Sequence, residues 1–202
     1  PERSEGLLEL LAGGQDLPDN ALRFALLSRV AARLGQADSP LAWQADIVHL
    51  NDWQTALAAA YLHYEGGAAS IVTIHNLAFQ GNFAASLLPD LGLPAHAWRF
   101  DGVEYHGQLS FLKAGLQLAT RLSTVSPTYA REIQDEAFGY GLAPLLRHRA
   151  ADLHGILNGV DTAIWDPARD SALVSPYNAA RLRDKRPNKT ALQGALGLEV
   201  QD

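Results

Sequence analysis

Between Asp46 and Leu157, short runs of aliphatic and β-branched residues take turns with longer stretches of helical periodicity, and few folds accommodate that alternation. The segments "DIVHL" (46–50), "SIVTI" (70–74), "RLSTV" (121–125) and "GIL" (155–157) read as buried strands. Trp53 to Tyr64 reads as a helix with Trp53, Leu57 and Tyr61 on one face, ended by Gly66-Gly67. Gln108 to Ala119 reads as another, with Leu109, Leu112 and Leu116 turned inward, and Thr128 to Gln134 as a third that starts after Pro127. Strand, helix, strand, helix in this order is the pattern of an α/β fold, an open parallel sheet covered by helices.

The flanks are less regular. Leu22, Leu26, Val30 and Leu34 repeat every four residues in a helix that Asp19 or Asn20 caps and Gly35 stops. Asn82 to Gly107 is polar and aromatic, and Pro89 and Pro94 break it into short turns. From Asp166 onward Pro167, Pro176 and Pro187 punctuate a charged region before a helix at Lys189 to Leu196. Residues 1–160 therefore read as one α/β domain and residues 161–202 as a connector toward a second.

Composition removes several function classes. The 202 residues are 48% hydrophobic, enough for one sizeable core. No stretch nears the roughly 20 apolar residues of a membrane span, and no signal peptide opens the chain. With no cysteine there are no disulfides or thiolate metal sites, which fits a cytoplasmic protein. A formal net charge of −6, with acids and bases mixed, argues against a nucleic-acid partner but not against a neutral one such as a sugar polymer. The chain contains no methionine and begins at Pro1, so it reads as an internal piece of a longer protein. The G-x-G-x-x-G, P-loop, G-x-S-x-G and H-E-x-x-H patterns are all missing, so no dinucleotide cofactor and no metal is expected.

In an open parallel sheet, ligands bind beyond the carboxyl ends of the strands. The four strands deliver Asn51 and Asp52, then His75 and Asn76, then Ser126, then Asn158 and Asp161, so each contributes small polar residues to one edge. Each has a plainer reading. Asp52 caps the helix that follows it, His75 is structural, Ser126-Pro127 starts a helix and Asn158-Gly159 makes a turn. His49, inside its strand, reads as a core histidine bonded to backbone. His106 and His148 fall outside any clear element and receive no role.

Six blocks in order, "HLNDWQTAL", "TIHNLAFQG", "GQLSFLKAGL", "TVSPTYAREI", "FGYGLAPLL" and "GILNGVDTAIWDP", give the chain a close resemblance to the bacterial glycogen synthase and plant starch synthase family. The resemblance implies part of the N-terminal domain of a two-domain GT-B fold, with a Rossmann-like parallel sheet carrying helices on both faces. It also implies a retaining transfer of glucose from ADP-glucose to the non-reducing end of an α-1,4-glucan, without metal. Position by position, His75 resembles the family's cleft histidine beside the transferred glucose, with Asn76 next to it. Asp52 resembles the acidic residue at the sugar site, Asn158 the asparagine facing the donor sugar, and Tyr140-Gly141 a pair near the cleft. Gln54 departs from the family, where a histidine is common. The family's Lys-Thr-Gly-Gly-Leu motif, its Arg-Lys pair for the diphosphate and its catalytic glutamate do not occur in this sequence, so the 202 residues alone are expected to be inactive. A related enzyme using another sugar nucleotide and a non-catalytic carbohydrate-binding module are the alternatives.

Overall fold

In the computed structural model, which describes residues 17–200, the first elements of the described residues are helix α1 (Asn20–Leu34) and strand β1 (Ile47–Asn51). Helix α2 (Asp52–Glu65) and strand β2 (Ala69–Ile74) follow. Three short strands come next, β3 (Asn82–Ala84), β4 (Glu104–Tyr105) and β5 (Gln108–Ser110), and then helix α3 (Phe111–Leu118). The unit is completed by β6 (Arg121–Thr124), α4 (Pro127–Glu132), α5 (Ala143–His148) and β7 (Leu153–Gly155).

Strands β1, β2, β6 and β7 hydrogen-bond in that order and all run parallel. Helices join them because parallel neighbours need long crossovers. Asn51 lies opposite Thr73, Ile74 opposite Thr124, and Thr124 opposite Gly155, so the four carboxyl ends come level on one edge. Val48, Leu50, Val72, Ile74 and Leu122 are buried in one core with Leu57, Tyr61, Leu112 and Leu116 of α2 and α3. Strand alternation then turns Ile47, His49 and Asn51 to the other face, where all three are exposed.

Several expectations shift. Helix α1 meets α2 through small residues, with Ala21, Ala25, Ser28 and Ala32 buried, so its Leu22, Leu26 and Val30 stripe points outward. Asp19 takes the N-cap position of α1 without a side-chain cap. The helix expected from Gln108 starts at Phe111, because Gln108–Ser110 pairs with both β3 and β4 in a small antiparallel sheet. Ser110 caps it by accepting from Lys113 N. The last strand comes two residues earlier than expected, at Leu153–Gly155 rather than Gly155–Leu157.

The described residues form two compact units, divided between Leu157 and Asn158. The second contains a 3₁₀ stretch (Ala179–Lys185) and helix α6 (Arg186–Ala195). Inside it, the Asn188 side chain accepts from Ser175 N (3.0 Å) and donates to Ser175 O (2.7 Å), pinning the segment before the helix.

Candidate functional site

Asp52 stands at the junction of β1 and α2 with φ of +53°, a left-handed conformation that aspartate tolerates better than most residues. That turn sends its carboxylate across to the neighbouring strand exit. Oδ1 accepts from the backbone N–H of His75 (2.7 Å) and of Asn76 (3.4 Å). The cap reading for Asp52 therefore fails: the side chain ties two strand exits together instead of serving its own helix. The helix start is held by Thr55, whose hydroxyl accepts from Asn51 N (2.6 Å) and donates to Asn51 O (2.9 Å).

His75 lies one residue past the end of β2 and is exposed. Its Nε2 stands 3.0 Å from Asn51 Oδ1. An amide oxygen only accepts, so with this assignment Nε2 carries the hydrogen and the neutral ring leaves Nδ1 to accept from a ligand. Asn76, also exposed, accepts from Ala78 N (3.1 Å) and so bends the loop. Leu77 anchors the loop below: it is buried, and its N–H donates to the Tyr129 hydroxyl (3.0 Å).

The loop returns at Gly81, whose φ is +59° and whose Cβ, were it present, would sit 2.3 Å from the Trp53 ring. Only glycine fits between that backbone turn and the indole at the start of α2. Gln80 then reaches outward, and its Nε2 donates to Tyr140 O (2.9 Å). Tyr140, with φ of +46°, and Gly141, with φ of +83°, make two successive left-handed residues. The exposed Tyr140 is thus brought to the loop that carries His75.

Asp52, His75, Asn76 and the Tyr140-Gly141 pair share this edge of the first unit. Ser126 follows the end of β6 on the same edge, but its Oγ serves as the cap of α4, accepting from Tyr129 N (2.9 Å). Asn158 opens the second unit. Asp161 beside it accepts from Ala163 N (2.9 Å) and Ile164 N (3.2 Å), which makes it a turn residue there. His49 corrects the sequence reading. It lies on the exposed face of β1, and its Nε2 meets the Thr73 hydroxyl (2.6 Å), itself 2.6 Å from Ser123 Oγ, rather than any backbone group. Asn51, one of the residues expected at this edge, holds the His75 ring, while Gln80 and Tyr129 organise the site without having been singled out. Gln80 lies inside the block "TIHNLAFQG", but nothing local in the sequence says that it reaches a residue 60 positions away. Among the described residues no cluster of three or more acidic or histidine side chains is placed to hold a metal.

A level row of parallel strand ends, with a carboxylate holding the backbone of an exposed histidine beside two amides and a tyrosine, defines an α/β protein with a polar strand edge. The family model for the starch synthase catalytic domain matches residues 9–148, and the chain belongs to that family. It is 75% identical over 189 residues to a glycogen synthase of Dechloromonas aromatica (strain RCB), covering 94% of this chain and 39% of that protein. A glycogen synthase of Nitrosomonas eutropha is 55% identical over 188 residues, with 92% and 38% covered. Among solved structures, the catalytic domain of starch synthase IV from Arabidopsis thaliana, bound to ADP and acarbose, superposes with a TM-score of 0.69 at 34% identity. That match covers 93% of this chain and 40% of the other. The chain spans about two fifths of the length of the relatives it matches.

Proposed function

We propose that this chain is the sugar-facing part of a glucan synthase that moves glucose from ADP-glucose to the non-reducing end of an α-1,4-glucan with retention. The observation that carries the reading is the Asp52 carboxylate accepting from His75 N at 2.7 Å and Asn76 N at 3.4 Å, which fixes the backbone that carries an exposed histidine and asparagine at the strand edge. The solved relative with ADP and acarbose in its catalytic domain supports a nucleotide and a glucan-like ligand as the partners.

In that reaction the bond between the anomeric carbon and the diphosphate oxygen breaks, ADP leaves with the electron pair, and the acceptor's 4-hydroxyl bonds to the same face while its proton passes to the departing diphosphate. His75 and Asn76 meet the hydroxyls of the transferred glucose, and fixed groups of this kind act by being in place before charge develops. Asp52 orients them. Its Oδ1 is committed to two N–H groups, so it is not assigned the part of a glycosidase nucleophile. Tyr140, Gly141 and Asn158 are assigned to substrate binding, Asn158 from the start of the second unit. Residues 161–202 act as connector to the domain that carries the diphosphate-binding cations. The enzyme is cytoplasmic, a reading the cysteine-free sequence supports.

The test is incorporation of labelled glucose into glycogen by the parent polypeptide, with ADP-glucose and UDP-glucose in parallel. Transfer from ADP-glucose with an α-1,4 product is expected. Transfer from UDP-glucose alone, or from neither, contradicts the reading.

A further inference from the structure

The chain holds seven asparagines, and one of them differs from the rest. Asn51, Asn76, Asn82, Asn178 and Asn188 each use the side-chain amide in a hydrogen bond, and Asn20 is buried. Asn158 is exposed, and nothing among the described residues hydrogen-bonds its amide. It is also the only asparagine followed by glycine.

The backbone at this pair is equally unrestrained. Residues 157–160 are exposed and belong to no helix, strand or turn. Among the described residues the Gly159 N–H has no backbone partner. A Cβ on Gly159 would meet nothing within 4 Å, so no neighbour crowds the glycine. The chain's one Asp-Gly pair shows the opposite case. There Gly102 N donates to Arg99 O (2.9 Å), the Asp101 carboxylate pairs with Arg99 (3.0 Å), and a Cβ on Gly102 would lie 2.2 Å from Ala97 O.

Asparagine is chemically labile, and a glycine after it removes the side chain that would otherwise shield the next backbone nitrogen. On loss of its proton, the Gly159 nitrogen can attack Asn158 Cγ. The new C–N bond closes a five-membered imide, and the side-chain nitrogen departs as ammonia, taking up a proton in place of the one lost. Water then adds to one of the two ring carbonyls. Opening at Cγ leaves aspartate; opening at the main-chain carbonyl leaves isoaspartate, whose backbone is one methylene longer. Nothing is oxidised or reduced, and water is the only reactant added. We propose that Asn158-Gly159 is a self-modification site, at which the chain converts its own asparagine to aspartate and isoaspartate. The chemical step stands on the local geometry. Its consequence rests on the functional reading above, which assigns Asn158 to substrate binding: a neutral amide there becomes a carboxylate, and an anion repels a sugar diphosphate.

The test ages the 202-residue chain in warm, mildly alkaline buffer beside Gly159→Ala, with peptide mass mapping and isoaspartate-specific methyltransferase labelling as readouts. Gly159 lies outside the left-handed region and has open space at its Cβ position, so alanine is accommodated, and a thermal melt serves as the fold control. The peptide carrying Asn158 should lose its amide first, with isoaspartate the larger product, while the other six asparagines and Asp101-Gly102 lag well behind. Gly159→Ala should slow the loss several-fold. An Asn158 that keeps its amide while other asparagines lose theirs, or an equal rate of loss in a folded Gly159→Ala, overturns the proposal. Ageing the parent enzyme separates the two claims. Its turnover of ADP-glucose should fall in step with the modified fraction, and more slowly in Gly159→Ala, each measured against its own unaged sample. Modification at Asn158 with undiminished turnover would leave the self-modification site standing and remove Asn158 from the substrate-binding assignment.

Discussion

His75 and His49 lie on neighbouring strands, and their surroundings decide their different parts. His75 is past its strand end, fixed at its backbone by Asp52 and at its ring by Asn51. His49 is within β1, on an exposed face, with one side-chain partner in Thr73. Removing an exposed imidazole and one neutral hydrogen bond costs at most about 1 kcal/mol. His49→Ala should therefore lower the urea midpoint only slightly, and a loss of several kcal/mol would mean that its contact with Thr73 and Ser123 is worth more than a neutral surface bond. The sequence pointed to Asp52, His75 and Asn76 because strand order places their strand ends together. It misplaced His49 because alternation alone does not say which face of a strand the helices cover.

The clearest element-level device is Arg149, which sits just past α5 and closes the end of α3. Its guanidinium donates to Leu116 O and Gln117 O (2.9 Å each) and to Ala119 O (2.8 Å), carbonyls at a helix end that otherwise lacks partners. Nε binds Asp152 (3.0 Å), which Arg121 also contacts. Lysine cannot reproduce that fork, so Arg149→Lys should cost about 2 kcal/mol, read from denaturant unfolding. The hydrogen bond from Arg149, aided by the charges of Arg149 and Arg121, holds the Asp152 carboxyl below its ordinary range. A lowered folded value means that the contribution is present above the unfolded value of about 3.9 and disappears as pH falls through the folded one. Thermal melts of wild type and Asp152→Asn should then differ near neutrality and converge on acidification below that value. Divergence toward low pH would contradict the assignment. None of this was legible in the sequence, since Arg149 acts across 30 or more positions on carbonyls that carry no side-chain signal. The β3–β4–β5 sheet escaped for a related reason: strands of two or three residues are too short to show a period.

At the scale of the whole molecule, the parallel sheet was readable from its alternating segments, and the family from six ordered blocks. The groups at the strand edge are a carboxylate, an imidazole, amides and a tyrosine, with no cation among them. In the proposed reaction, departure of ADP would build charge on phosphate oxygens, for which preorganised cations are the usual large stabilising term. The 202-residue chain alone should therefore show no glucosyl transfer from ADP-glucose, and robust turnover by it would place the chemistry elsewhere. The central claim is that Asp52 and His75 serve the transition state rather than the fold. It is tested most directly by kcat of the parent enzyme carrying Asp52→Ala or His75→Ala, with melting temperatures measured on the same samples. The account predicts that each lowers kcat about 100-fold, roughly 2.7 kcal/mol of transition-state stabilisation, with the His75→Ala melt near that of the wild type. Near-normal turnover in a His75→Ala enzyme that melts early would contradict it.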